Sequence, residues 1–139
     1  MHTSGTTGKP KGVVHGAGGY AVYVANTLKW VFDPRPDERI WCTADMGWLL
    51  GISFGVFAPL IAGLTSIMYE GALDYPRPDI VWEIIEKYRV NIFYTSPTAI
   101  RMLMRYGDHY PLKHNLDSLR ILGTAGEPIN RSAWEWYYR

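Results

Sequence analysis

Four short apolar runs recur along the chain: IWCTA (40–44), TSIMY (65–69), NIFYT (91–95) and RILGTA (120–125), with helical periodicity between consecutive runs. Short runs rich in β-branched and aromatic residues, bounded by turn residues, read as strands. Strands that alternate with helices need crossover connections, which lay the strands parallel and cover the sheet with helices. The chain is therefore expected to be α/β, a mostly parallel sheet with flanking helices. Its 139 residues suit one core, enough to bury roughly two thirds of the surface that the unfolded chain exposes.

The helix signals lie where this pattern needs them. Asp79 stands at the N-cap of a segment in which Ile80, Val81, Ile84, Ile85 and Tyr88 share one face, while Glu83, Glu86, Lys87 and Arg89 share the other. Ser96 and Pro97 supply a cap and a first-turn residue for TAIRMLMRY, and Gly107 supplies the stop. From 46 to 69 the chain carries no charge and contains Gly51-x-x-x-Gly55, a spacing found in packed membrane helices. Pro59, the Ala62-Gly63 pair and the β-branched Thr65 and Ile67 are expected to divide it into a buried helix of about a dozen residues and a short strand. The flanking Asp45 and Glu70 lack the basic bias of a cytoplasmic membrane boundary. DPRPD and DYPRPD read as surface turns, and in RSAWEWYYR the side chains of Trp134, Tyr137 and Tyr138 are expected to form an uncovered apolar face.

Composition narrows the function classes. Hydrophobic residues make up 47% and charged residues 19%, far from the signature of disorder. Fourteen basic against thirteen acidic side chains leave +1, with no electrostatic footprint for nucleic acid or an anionic membrane. An anion must therefore be bound locally. Cys42 is the single cysteine, so no internal disulfide forms, and Met1 is followed by polar residues; both favour the cytoplasm. His2, His15, His109 and His114 show no ligand spacing with Cys42 or a carboxylate cluster, so no metal ligand is assigned and surface or loop roles are expected.

The densest chemistry is the stretch TSGTTGKPKG (3–12). It is not a Walker A loop, because only Thr6 and Thr7 separate Gly5 from Gly8 and Pro10 follows Lys9. The dinucleotide pattern GxGxxG fails too, since Pro10 and Gly12 oppose a helix starting there. Its parts nonetheless suit polyphosphate: glycines admit close backbone N–H groups, Ser4, Thr6 and Thr7 offer hydroxyls, and Lys9 and Lys11 offer charge. A lysine about 4 Å from a phosphate charge gains roughly 4 kcal/mol at an effective dielectric near 20. A flexible linker is the plain alternative.

Thr3-Ser4-Gly5-Thr6-Thr7-Gly8-Lys9-Pro10-Lys11-Gly12 resembles, at every position, the phosphate-loop signature of the AMP-forming acyl-CoA synthetases, a branch of the adenylate-forming enzymes. WCTADMGW (41–48), YTSPTAIRMLM (94–104), LRILGTAGEPIN (119–130) and AWEWYY (133–138) look like the acetyl-CoA synthetase branch. The resemblance implies ATP, Mg²⁺ and coenzyme A as cofactors and a short-chain carboxylate as the small-molecule partner. A carboxylate would attack the α-phosphorus of ATP, and the thiol of coenzyme A would then take the acyl group from the adenylate.

Carried over by position, Thr3, Ser4, Gly5, Thr6, Thr7, Gly8, Lys9 and Lys11 would bind the phosphates of ATP, and Gly126, Glu127 and Pro128 would lie against adenosine. Trp48, Leu49, Leu50 and Ala125 would line the acyl pocket, while Leu50, Asp74 and Ser96 would face coenzyme A. Without the resemblance, Trp48 would read as core. Leu49-Leu50 stands where that branch carries Val-Thr, Ser96 where it carries alanine, Asp74 where it carries asparagine and Gly16-Ala17 where it carries two threonines. No catalytic residue is assigned: the adenylation lysine of the family is implied to lie outside these residues, and an ionised carboxylate needs no base.

The resemblance further implies that 1–139 is a partial AMP-binding domain, truncated at both ends and without the small C-terminal domain. The missing partner is then the remainder of its own chain, and the piece alone is expected to be inactive. A self-contained nucleotide- or polyphosphate-binding module and a small membrane protein built on 46–69 are the readings from other classes.

Overall fold

The computed structural model describes residues 2–3 and 8–139. A two-residue strand β1 (His2–Thr3) pairs antiparallel with β2 (Lys11–Gly12), His2 opposite Gly12 and Thr3 opposite Lys11, so the chain enters and leaves the opening loop side by side. Helix α1 (Ala17–Thr27) follows and continues through wider π-helical turns over Leu28–Phe32. Next come β3 (Arg39–Cys42), α2 (Leu49–Gly51), a π-helical segment (Ile52–Phe57), α3 (Ala58–Ile61) and β4 (Thr65–Ile67). After them lie α4 (Ile80–Tyr88), β5 (Ile92–Thr95), α5 (Pro97–Tyr106), β6 (Ile121–Thr124) and α6 (Arg131–Tyr138).

The four runs that read as strands form one parallel sheet in the order β4-β3-β5-β6. Alternation along its central strands divides the core in two. Ile40, Cys42, Ile92 and Tyr94 meet Val24 of α1, Leu28 of the π-helical turns that continue it, and Phe54 and Ala58 from the 49–61 helical run. Trp41 and Phe93 meet Ile80, Val81, Ile84 and Ile85 of α4, Ile100 and Leu103 of α5, and Ala133 and Tyr137 of α6. Helices on both faces explain why β5 is buried at every residue and shows no polar alternation.

The uncharged stretch folds as a helical run over 49–61 and then a strand, and among the described residues no helix is long and apolar enough to cross a membrane. Pro59 does not break that helix. A proline at this position leaves the carbonyl of Gly55 without its i+4 donor, and the Ser66 hydroxyl on β4 donates to that carbonyl at 2.6 Å. The helix stops where Gly63 adopts a left-handed φ of 71°.

Three expectations need correction. Asp79 holds the N-cap position without a side-chain cap bond, because its carboxylate meets Arg77 Nε at 3.1 Å. Tyr88 is exposed, since the chain turns at Arg89 (φ 49°) and Val90 takes the core position; Trp82 is buried instead. In α6, Tyr137 is buried under the sheet with its hydroxyl donating toward the carbonyls of Phe93 and Gly123 at 3.2 and 3.3 Å. Only Trp134 and Tyr138 remain as the exposed pair, stacked at 5.5 Å. Burial pushes the Tyr137 phenol far above its usual range. Ser96 and Gly107 cap and end α5 as expected, Ser96 Oγ accepting from Ala99 N–H at 3.2 Å.

A buried ion pair ties the two halves of the sequence together. Glu38, only 8% exposed, accepts from Arg120 Nε at 2.6 Å and from Arg120 Nη2 at 2.7 Å, and Arg120 Nη2 also donates to the Asp33 carbonyl at 2.8 Å. The hydrogen bond from Arg120 holds the Glu38 carboxyl below its usual range. A depressed folded-state pKa gives stability that is full above the unfolded value, about 4.3, and is lost as pH falls through the folded value. Glu38→Gln should therefore cost about 1–3 kcal/mol near neutral pH, with the gap to the parent chain closing below about pH 4. Denaturant titrations across pH read this out; a gap that does not change with pH contradicts it.

Candidate functional site

The connections place the site before any side chain is considered. From β3 the chain passes to the helical run on one face of the sheet, and from the adjacent β5 it passes to α5 on the other face. The two loops diverge at the carboxyl ends of the strands and open a crevice there, which is where parallel α/β sheets bind ligands. Thr43 and Thr95 sit at its base with their hydroxyl oxygens 2.6 Å apart. Thr43 N–H donates to the Tyr94 carbonyl at 2.9 Å and Ala125 N–H to the Thr95 carbonyl at 3.2 Å, so the ladder runs one residue beyond the strand ends. Thr124 stands opposite Thr95 in register, and its hydroxyl is shielded from solvent with no partner among the described residues.

The wall after β3 is a tight turn. Asp45 Oδ1 accepts from Gly47 N–H at 2.6 Å, and Trp48 N–H donates to the Asp45 carbonyl at 3.0 Å. Gly51 lets the helix pass against that turn: a Cβ there would stand 2.1 Å from the Asp45 carbonyl oxygen. Trp48 is 61% exposed at the mouth, not core, and Leu49 is exposed beside it. Leu50 and Ala125, although far apart in sequence, pack against the same aromatic and aliphatic cluster around Phe54 and Tyr94. Cys42 lies under this wall as a buried thiol that burial pushes above its usual range.

The wall after β5 is the start of α5, with Ser96 at its N-cap. The turn after β6 begins at Gly126, whose φ of 97° favours glycine, and Glu127 reaches back to α5. Glu127 Oε1 accepts from Thr98 N–H at 2.8 Å, and Glu127 Oε2 accepts from Arg101 Nη2 at 2.8 Å. Asp74 is elsewhere: it accepts from the Tyr106 hydroxyl at 2.8 Å, at the end of α5 roughly 15 Å along the helix from Ser96. Its carboxylate raises the Tyr106 phenol above its usual range.

A cleft of about 660 Å³ adjoins the crevice at the ends of β3 and β4, lined by Thr43, Asp45, Met46, Met68, Tyr69 and Glu70 among others. In the opening loop, Gly8 has a left-handed φ of 78°, and Lys9 and Lys11 are exposed. Ser4, Gly5, Thr6, Thr7 and the Thr3 side chain lie outside the described residues. Among the described residues no group of three or more His, Cys, Asp or Glu could hold a metal ion. His114 is more than a loop residue: its side chain is largely buried, and Nδ1 lies 2.8 Å from Glu86 Oε2.

The sequence points to the residues at the mouth, whereas the roles of Thr43, Thr95, Thr98 and Arg101 emerge only from the structure; a threonine at or just past the end of both IWCT and NIFYT is the one readable signal for the first two.

The model of the family described as "AMP-binding enzyme" matches residues 1–139. The chain belongs to the AMP-binding enzyme family. It is 62% identical over 139 residues to an acetyl-coenzyme A synthetase of Pyrobaculum aerophilum, a match that covers 100% of this chain and 21% of that protein. The corresponding protein of Rhizobium rhizogenes is 55% identical over 139 residues, with 100% and 21% covered. That of Helicobacter pylori (strain P12) is 53% identical over 138 residues, with 99% and 21% covered. The chain therefore spans about a fifth of the length of the curated relatives it matches. The parallel sheet with helices on both faces is the α/β arrangement expected of an AMP-binding enzyme.

The close approach at Gly51 can be tested directly. Gly51→Ala drives a methyl group into a backbone carbonyl, so it should destabilise the chain by about 1–3 kcal/mol. Urea denaturation measures this; an unchanged midpoint would mean that the 45–48 turn is not held against the helix.

Proposed function

We propose that these residues belong to an AMP-forming acyl-CoA synthetase and form the part in which ATP meets a short-chain carboxylate, acetate or a close homologue. One observation supports the reading: Trp48, Leu49 and Leu50, Ser96, and Ala125 with the 126–128 turn follow the carboxyl ends of three neighbouring parallel strands, β3, β5 and β6. The relatives named acetyl-coenzyme A synthetase match the chain along its whole length. The chain spans 21% of those proteins, which supports reading 1–139 as a partial AMP-binding domain and the activity as that of a longer protein.

In this reading each wall has its own task. The 126–128 turn lies against adenosine, the 3–12 loop surrounds the phosphates, and Leu50 and Ala125 supply an apolar surface for the acyl chain with Trp48 and Leu49 at its mouth. The carboxylate forms a bond to the α-phosphorus while the bond to pyrophosphate breaks. Lys9, Lys11 and the N–H and hydroxyl groups of the loop offset the charge that accumulates on the departing pyrophosphate. Coenzyme A, entering past Ser96 and Leu50 with Asp74 by the far end of α5, then takes the acyl group and releases AMP. Mg²⁺ in such sites is held largely by substrate phosphates and water. Among the described residues no group of three or more His, Cys, Asp or Glu could hold it.

Sterics at the mouth limit the acid more than apolar contact does, since one methylene in an apolar pocket is worth only about 1–3 kcal/mol. The single buried thiol suits a reducing cytoplasm. Acid-dependent ATP–pyrophosphate exchange by the full-length protein that carries these residues tests the proposal, with acetate, propionate and lactate as arms. Exchange with at least one of them is expected; none with any short carboxylic acid overturns it.

A further inference from the structure

A helix begins with backbone N–H groups that have no partner inside it, and α5 accounts for each of its first ones. Pro97 has none. Ala99 N–H donates to Ser96 Oγ at 3.2 Å, and Ile100 N–H donates to the Ser96 carbonyl at 3.1 Å. That leaves Thr98, whose N–H donates at 2.8 Å to Glu127 Oε1, a side chain 29 positions further on. The Thr98 hydroxyl donates to the same oxygen. The other carboxylate oxygen, Glu127 Oε2, accepts from Arg101 Nη2 at 2.8 Å, and the same nitrogen lies 2.9 Å from Thr98 Oγ1.

Two consequences follow. The donors at the start of α5 are already used, so that helix end has nothing left to offer a phosphate. Both oxygens of Glu127 are occupied as well, by a backbone N–H, a hydroxyl and a guanidinium. The residue sits inside a turn whose three members, Gly126, Glu127 and Pro128, are all exposed, and Gly126 has no atom within 4 Å of where a Cβ would stand. Packing does not fix this turn; the side-chain bonds of Glu127 do.

We propose that Glu127 is a latch: its carboxylate, held by Thr98 and Arg101, sets the backbone of the 126–128 turn for the nucleotide and does not itself touch it. Arg101 is thereby a positioning residue for nucleotide binding, acting through Glu127. The proposal rests on the reading that this turn meets adenosine, and it replaces a direct contact of the Glu127 side chain by a contact of the turn it anchors. The Thr98 hydrogen bond and then Arg101 hold the Glu127 carboxyl below its usual range, so the latch stays ionised throughout the neutral range. An exposed ion pair on its own would be weak and screened by salt. Here the N–H and hydroxyl bonds fix its geometry.

The test uses the full-length protein carrying these residues, with ATP affinity by calorimetry, turnover at saturating ATP and hydrogen exchange at the Thr98 amide. Glu127→Gln and Arg101→Gln should each weaken ATP binding about threefold to tenfold, with the loss falling more on ATP affinity than on turnover at saturating ATP. The double variant should be no worse than the worse single one, and Arg101→Lys should recover part of the loss. Glu127→Ala should speed exchange of the Thr98 amide. Losses that multiply in the double variant, or a loss in Glu127→Gln with none in Arg101→Gln, would mean that Glu127 meets the nucleotide directly and would overturn the latch. Unchanged binding in both singles would overturn it too. Because ATP binding and amide exchange need no acid, failure of the latch is read separately from failure of acid-dependent exchange, which bears on the proposed function alone.

Discussion

The seam between β3 and β5, marked by the Thr43 and Thr95 hydroxyls 2.6 Å apart, is the constraint on which the rest of the structure depends. Adjacent parallel strands whose connections leave to opposite faces cannot fill the space above their own carboxyl ends. The helical run over 49–61 is drawn to one face by Phe54 and Ala58, and α5 is drawn to the other by Ile100 and Leu103. Every residue proposed for the acyl and adenosine positions follows the end of a strand on this edge. The two buried faces thus place the crevice, and loop chemistry only lines it.

That division suits the proposed reaction, which must bring an apolar acid and a polyanionic nucleotide together. Leu50 and Ala125 share an apolar cluster that contains no charge, whereas the turn one residue beyond Ala125 is held by charged and hydroxyl groups. Burial is graded along the same line, from Thr95 at 1% exposure in the floor to Trp48 at 61% at the mouth. A ligand seated there would exchange water for a prearranged set of dipoles, the usual source of electrostatic catalysis.

Much of the fold was legible because local signals and the final packing agree. The apolar runs became β3, β4, β5 and β6, and Ser96 and Gly107 bound α5 where their chemistry requires. The helix of about a dozen residues expected before β4 forms, with Pro59 accommodated inside it because Ser66 satisfies the Gly55 carbonyl. The structure departs from expectation where a distant group intervenes: Tyr137 is buried, with Phe93 and Gly123 offering carbonyls to its hydroxyl. At the site, the family resemblance pointed to Trp48, Leu50, Ala125 and Glu127. Periodicity had no means of pairing Thr43 with Thr95 across 52 positions or Arg101 with Glu127 across 26.

The most direct measurement is a crystal structure of the full-length protein bound to a non-hydrolysable acyl-adenylate mimic, an acyl sulfamoyl adenosine with a two- or three-carbon acid. Adenosine against the 126–128 turn, with the acyl group beside Leu50 and Ala125 above the Thr43 and Thr95 hydroxyls, is the expected result. A mimic seated away from the β3–β5 seam, for example in the cavity of about 620 Å³ lined by Trp82, Leu122 and Trp136, would contradict it.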